Sequence, residues 1–236
     1  MKHNRIGLVG IGKLGTALIT HWNRKNIAIG VFHPAKKKAE NFAQHYENSY
    51  LLNEDRLHEL DVLILALPAT EVIPFISSLE LPSKSRQTPF IINMATNLST
   101  KEIFAKYPDL KVQGVKYMGH WKDLLEHGNG LFISETALPP TIEELYQELG
   151  EVKIDSENCL TEVNKLATYL ALKTAYNIES EFANRGLSPV YLKRALSSLA
   201  PEVIRSYSEG SLGHFAKEIV REIKAEKASG VDDINN

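Results

Sequence analysis

Short apolar runs alternate with longer amphipathic stretches over the first 155 residues of the chain. Residues 5–9 (RIGLV) read as a short strand, and residues 16–25 carry Ala17, Leu18, Ile19 and Trp22 at helical spacing. A β-branched run at 27–33 predicts a second strand. Pro34 suits a helix start, and 35–47 places Ala39, Phe42, Ala43 and Tyr46 on one face. A weak strand is expected at 49–52, then a short helix from Asn53 to Leu60. Residues 61–67 (DVLILAL) are almost continuously apolar, the pattern of a central parallel strand buried on both faces; Pro68 stops it. Further strands are expected at 89–94, 111–118, 130–134 and 151–154, with helices at 71–79, 99–107 and 139–149. Ser99 and Glu102 have the spacing of a capping box. This alternation predicts a parallel sheet with helices on both faces.

The pattern changes near residue 158. No convincing strand follows, and three helices are expected at 160–185, 189–207 and 212–227, with Gly186 placed to end the first. The tail from 229 to 236 is polar and reads as frayed. The expected division is a sheet domain over residues 1–156 and a helical domain over 157–236. A domain this small buries little by itself. The first long helix is apolar around most of its circumference, through Leu166, Ala167, Leu170, Ala171, Leu172, Ala175 and Ile178. A second copy covering that helix, hence a homodimer, is the expectation.

The chemistry starts in the first fifteen residues. The first strand runs into Gly10-Ile11-Gly12-Lys13-Leu14-Gly15, and a helix follows. Strand, GxGxxG and helix in that order form the phosphate-binding turn of a dinucleotide fold. Gly10 permits the tight turn, Gly12 lets the backbone approach a pyrophosphate, and Gly15 lets the helix pack on the strand. The free N–H groups and dipole at the helix start meet the phosphate charge. The fold class expected is therefore α/β: a Rossmann-like, doubly wound, mostly parallel sheet with a small all-α C-terminal domain.

A carboxylate at the end of the second strand normally takes the ribose hydroxyl of NAD. Phe32, His33 and Pro34 stand there instead, followed by Lys36, Lys37 and Lys38. A 2′-phosphate would be tolerated and attracted, which favours NADP(H) over NAD(H); His33, Pro34 and Lys37 are the expected contacts. Ligands of open parallel sheets bind beyond the carboxyl ends of the strands. Ala66, Leu67 and Pro68 after one strand, and Asn93 and Ala95 around the end of another, are expected to line the nicotinamide half. Asn93 has two readings: it holds the carboxamide or another polar group, or it caps the strand end through local hydrogen bonds.

Two places offer a proton donor. His120, beside Trp121, follows the sixth strand on the ligand side and has the right chemistry near neutral pH. Lys173 and Asn177 are four apart and share a helix face, like the Lys–Asn pair of β-hydroxyacid dehydrogenases.

Composition narrows the rest. The chain has 236 residues, 43% hydrophobic and 24% charged, an ordinary globular balance. A net charge of −2 gives no field that would draw it to nucleic acid or an anionic membrane. The opening segment reads as a strand rather than a signal peptide. No apolar stretch approaches the ~18 residues of a membrane span. One cysteine, Cys159, excludes an intrachain disulfide and fits a cytoplasmic home. The histidines show no metal-ligand spacing, so no metal is expected.

The layout resembles the pyrroline-5-carboxylate reductases and their close relatives. The stretches that carry the likeness are GLVGIGKLG (7–15), FHPAKKKAE (32–40), DVLILALPATEV (61–72), IINMATNLS (91–99) and VKYMGHWKDLLEHGNGLFIS (115–134). The resemblance implies an NADP-dependent oxidoreductase that reduces a small imine or carbonyl by hydride transfer and dimerises through its C-terminal helices. It also implies that Pro68 is the family's proline after that strand. The chain departs at Thr96-Asn97, where the family has Ala-Gly, and at Gly119-His120, where it has Pro-Asn after the methionine that Met118 matches. The family's Ser-Gly-rich substrate segment of the dimer helix is replaced by residues 164–169 (NKLATY), and its later Ser-Pro-Gly-Gly-Thr-like turn by SEGSL at 208–212. Either the substrate differs or catalysis has been lost. The alternatives are a non-catalytic dinucleotide-binding regulatory protein and a relative of the β-hydroxyacid dehydrogenases.

Overall fold

The computed structural model describes residues 5–79 and 88–228; the 229–236 tail lies outside these. Contacts divide the chain into two units, 1–166 and 167–236.

The first unit is built on six parallel strands: β1 (Ile6–Val9), β2 (Ile29–Phe32), β3 (Ser49–Leu51), β4 (Val62–Leu65), β5 (Phe90–Asn93) and β6 (Val112–Gly114). Their order is β3-β2-β1-β4-β5-β6, with the chain reversing direction across the sheet between β1 and β4. Every pair is parallel. This is the doubly wound arrangement expected from the sequence.

β4 shows why its sequence is so apolar. Val62 and Ile64 enter one core, Leu63 and Leu65 the other, so a period-2 alternation has no solvent side to report. Helix α1 (Lys13–Arg24) and helix α6 (Pro140–Gln147) bring Trp22, Leu145 and Tyr146 to the first core. Helices α3 (Ala69–Ser78) and α4 (Thr100–Lys106), with Leu57 of a 3₁₀ turn at Glu54–Glu59, close the second. That turn replaces the short helix expected after Asn53. Helix α2 (Lys36–Ala43) follows β2, and the Ser99–Glu102 capping box of α4 is formed.

The expected single strand at 111–118 is two. β6 ends at Gly114, and β7 (Lys116–Met118) joins a second sheet of order β7-β8-β9, with β8 at Gly130–Ser134 and β9 at Gly150–Ile154. β7 pairs antiparallel with β8, and β8 parallel with β9. The break falls where the chain passes the Glu157 carboxylate. A Cβ on Gly114 would collide with Glu157 Oε1 and Thr100 Oγ1. Helix α5 (Trp121–His127) follows β7 and packs on α1, where His21 Nε2 lies 2.6 Å from the Leu124 carbonyl oxygen.

Helix α7 (Glu157–Asn184) starts in the first unit and runs into the second. Gly186 (φ +64°) follows its last turn, and Ser188 caps helix α8 (Pro189–Arg194) by accepting from the Val190 N–H. The helix expected at 189–207 is interrupted by a π turn at Ala195–Leu199 before helix α9 (Ala200–Ser208). Pro201 explains the interruption: it has no N–H to donate, and the wider turn accommodates that loss. Helix α10 spans His214–Ala228.

Tyr146 is fully buried, edge-on to Trp22 and Phe132, and its hydroxyl has no hydrogen-bond partner among the described residues. Burial alone drives its phenol upward. A desolvated, unpaired hydroxyl is a net cost. Tyr146→Phe is therefore expected to raise the unfolding free energy by about 1 kcal/mol, read as a higher urea midpoint with an unchanged m-value.

Candidate functional site

The glycine turn stands at the carboxyl ends of β1 and β4. Gly10 has φ +102°, and a Cβ there would run into the Ala66 carbonyl; a Cβ on Gly15 would run into the Gly10 carbonyl. These two contacts press turn, helix and strand together. Gly12 differs: a Cβ there meets nothing within 4 Å. It caps α1 without any side-chain hydrogen bond, and no acidic residue lies in the helix's first turn. The N–H groups and positive end of α1 thus face open space with no acidic residue in the helix's own first turn to compete, a condition for holding a pyrophosphate.

Gly12, Ala66, Leu67 and Pro68 line two cavities. The larger, about 1160 Å³, runs past Gly10 and Ile11 to His33 and Pro34 after β2, and to Lys38, Asn41, Phe42 and His45 along and after α2. Its opposite wall includes Glu71 and Phe75 of α3, and Glu71 is the one carboxylate among its described lining residues. The His33 ring is fixed, its Nδ1 accepting from the Ala35 N–H at 2.9 Å. In a neutral ring that bond leaves the proton on Nε2, a donor. The smaller cavity, about 420 Å³, is lined by Lys13, Leu14, Ala69 and the turn after β5, Met94 to Asn97.

The structure therefore gathers Gly10, Ile11, Gly12, Lys13, Leu14, His33, Pro34, Ala66, Leu67, Pro68 and Ala95 around two adjoining spaces. Gly15 serves by close packing. Lys37 is not in either lining; Lys38 is, one residue further on and about 100° around the helix. Lys36 pairs with Glu40 at 3.9 Å on the surface. Asn93 takes the second of its two sequence readings. It is buried, its Nδ2 donates to the Leu98 carbonyl (3.0 Å) and Thr100 Oγ1 (3.2 Å), and its Oδ1 accepts from the Ala95 N–H (3.0 Å). Both amide hydrogens are committed to shaping the turn, and the side chain lines neither cavity.

His120 is exposed at the N-cap of α5, its ring 5.5 Å from that of Trp121. Lys13 Nζ lies 5.2 Å from the centre of the Trp121 ring, which brings this aromatic pair beside the glycine turn without placing His120 in a cavity lining. Tyr117 donates to the His120 carbonyl at 3.2 Å; burial, and then Asp123, push its phenol up to about 12. Lys173 and Asn177 are exposed on α7 in the second unit. Among the described residues no group of three or more His, Cys, Asp or Glu could hold a metal ion. No described helix is long and apolar enough to cross a membrane.

Sequence reasoning missed one cluster. Lys116 is completely buried, its Nζ donating to the carbonyls of Ala95 (2.6 Å) and Leu98 (2.9 Å) and lying 3.7 Å from Glu157 Oε1. Glu157 in turn accepts from the Thr100 N–H (2.9 Å) and hydroxyl (2.5 Å). Burial pushes the Lys116 ammonium down to about 8, against the opposing pull of Glu157, Glu102 and Glu135. The available signal was a lysine inside an apolar strand; nothing local marks Glu157 as its partner.

Fold and turn together define a Rossmann domain. Residues 5–97 match the family described as NADP oxidoreductase coenzyme F420-dependent. A sequence comparison with curated proteins finds no match. Among solved structures, the chain is similar to a pyrroline-5-carboxylate reductase from Coxiella burnetii (TM-score 0.69, 15% identity, covering 98% of this chain and 90% of that one). It is also similar to an imine reductase from Aspergillus terreus in complex with NADPH4 and dibenz[c,e]azepine (0.61, 14%, 99% and 89%). An imine reductase from Myxococcus stipitatus in complex with NADP+ is comparable (0.62, 12%, 87% and 78%). At these identities the likeness is one of fold: a Rossmann domain followed by a helical region.

Gly12 and Gly15 should separate binding from folding. Gly12→Val places its side chain in open space, so the melting temperature should barely move while NADPH affinity by calorimetry falls about a hundredfold, ~2.7 kcal/mol. Gly15→Ala should instead lower the melting temperature, because its methyl has nowhere to go.

Proposed function

We propose that the protein is an NADP(H)-dependent oxidoreductase that reduces a small imine or carbonyl compound. The observation that carries this reading is the uncapped start of α1 at Gly12, opening between two cavities, the larger rimmed by His33 and Lys38 where an NAD-selective site would have a carboxylate. When bound, NADPH would supply the hydride. The α1 amides would hold the pyrophosphate, and His33 Nε2 and Lys38 would hold the 2′-phosphate. The turn from Met94 to Asn97, with Ala66 to Pro68, would enclose the nicotinamide half. An imine is favoured among substrates because the structural neighbours include imine reductases and a pyrroline-5-carboxylate reductase.

The proton donor is proposed among His120 and the Lys173–Asn177 pair; the latter would make the chemistry akin to that of β-hydroxyacid dehydrogenases. We assign the sheet domain to residues 1–156 and the helical domain to 157–236. The second unit exposes Tyr169, Leu172, Tyr176, Val190, Tyr191 and Phe215, a load of apolar surface that supports a homodimer through these helices. A single cysteine supports a cytoplasmic location. A non-catalytic dinucleotide-binding role is the second reading, favoured by the absence of Asp, Glu, His and Tyr from the described lining of the smaller cavity.

Calorimetry is expected to show NADPH binding at least about tenfold tighter than NADH, with Lys38→Ala erasing most of that preference. Absence of binding by either cofactor would overturn the assignment. NADPH oxidation against a panel of cyclic imines and ketones separates the two readings, since turnover is expected only of the enzyme. Light scattering at micromolar concentration should give twice the chain mass of 26.4 kDa; a stable monomer would refute the dimer.

A further inference from the structure

The turn after β5 is held from two sides. From the strand, Asn93 grips the Ala95 N–H and the Leu98 carbonyl. From β7, Lys116 grips the Ala95 and Leu98 carbonyls. Thr96 and Asn97, between these anchors, are exposed and line the smaller cavity. The anchoring ammonium is itself steered by Glu157, whose carboxylate is fixed on Thr100 at the start of α4.

A buried ion pair is a poor source of stability, because desolvation consumes most of its attraction. An apolar side chain on β7 would pack the same space without that cost. What an apolar residue would not do is fix two carbonyls at once. The pair therefore makes sense as a geometric device: its lysine end shapes the 95–98 turn at the smaller of the two cavities beside the glycine turn, while its glutamate end, with Thr100 and Gly114, lines a separate space of about 270 Å³.

We propose that Lys116 is a positioning residue for the nicotinamide half of NADPH: by clamping the Ala95 and Leu98 carbonyls it sets where Thr96 and Asn97 stand in the wall of the smaller cavity. This rests on the dinucleotide reading above. The adenosine half, in the larger cavity, owes nothing to the clamp. The groups that face the ammonium are Glu157 at the start of α7, Glu102 of α4 and Glu135 after β8. Loss of its proton removes the charge assistance from both carbonyl bonds. The clamp therefore loosens as pH rises through about 8.

The test compares two probes on the full chain by calorimetry: NADPH, which would span both cavities, and adenosine 2′,5′-bisphosphate, which would occupy the larger one only. Lys116→Met is expected to weaken NADPH about tenfold while leaving the bisphosphate within about twofold. In the wild type, NADPH affinity should fall as pH passes about 8, with the bisphosphate unaffected. Glu157→Gln keeps the shape but removes the charge that favours the ammonium, so the same fall should begin at lower pH. Parallel losses for both probes, no loss for either, or a pH profile that Glu157→Gln leaves in place would overturn the proposal. Should Lys116→Met fail to fold, the wild-type and Glu157→Gln profiles decide it, since both retain the lysine. If the wild type binds neither probe, the dinucleotide reading itself fails and takes this one with it. Binding of the bisphosphate with an unperturbed NADPH response sinks the clamp alone.

Discussion

The first unit depends on how closely three backbones approach one another. The Gly10 turn abuts the Ala66 carbonyl, and Gly15 abuts Gly10. With side chains at these positions α1 would start further from the sheet, and its amides would no longer stand at the ends of β1 and β4. The core layer beneath α1, from Ala17 and Leu18 to Trp22, is placed by the same contact. Helix packing and the open, amide-lined start of α1 are thus two results of one steric allowance.

Charge is distributed to suit that arrangement. The start of α1 carries no acid, and the described lining of the larger cavity holds one lysine, Lys38, and one carboxylate, Glu71, with the His33 and His45 rings beside them. Among the described residues the one fully buried cation, Lys116, is not aimed into a cavity but into the carbonyls of the turn that bounds one. Polar side chains here act mostly on the backbone: Asn93 on a turn, His33 on Ala35, Trp22 on the Leu145 carbonyl. Backbone groups fixed in this way need little reorganisation when a ligand arrives, the condition for preorganised recognition.

Features encoded within a few consecutive residues were legible in the sequence. The glycine turn, the doubly buried β4 and the α4 capping box each follow from local spacing. Features that depend on distant partners were not. The glycine inside residues 111–118 is the one local sign of the break at Gly114; the Glu157 carboxylate that crowds it comes from far along the chain. Lys37 and Lys38 are equivalent as composition and differ only in direction around α2, which puts Lys38 and not Lys37 in the cavity lining. Asn93 at a strand end fits a ligand and a turn equally well until its neighbours are known. In the second unit, apolar residues such as Leu172 and Leu199 have no local feature that tells an internal core from an interface, and in the single chain both are more than half exposed.

The strand that breaks at Gly114 also has a mechanical meaning. β6 is laddered to β5, and two residues later β7 is laddered to β8. Fraying of the smaller sheet pulls directly on the edge of the larger one, with one residue of slack between them. Such a tie merges what would otherwise be two separately opening foldons. Amide protons in β5 and in β8 would then exchange with solvent through a common opening event rather than on two independent clocks.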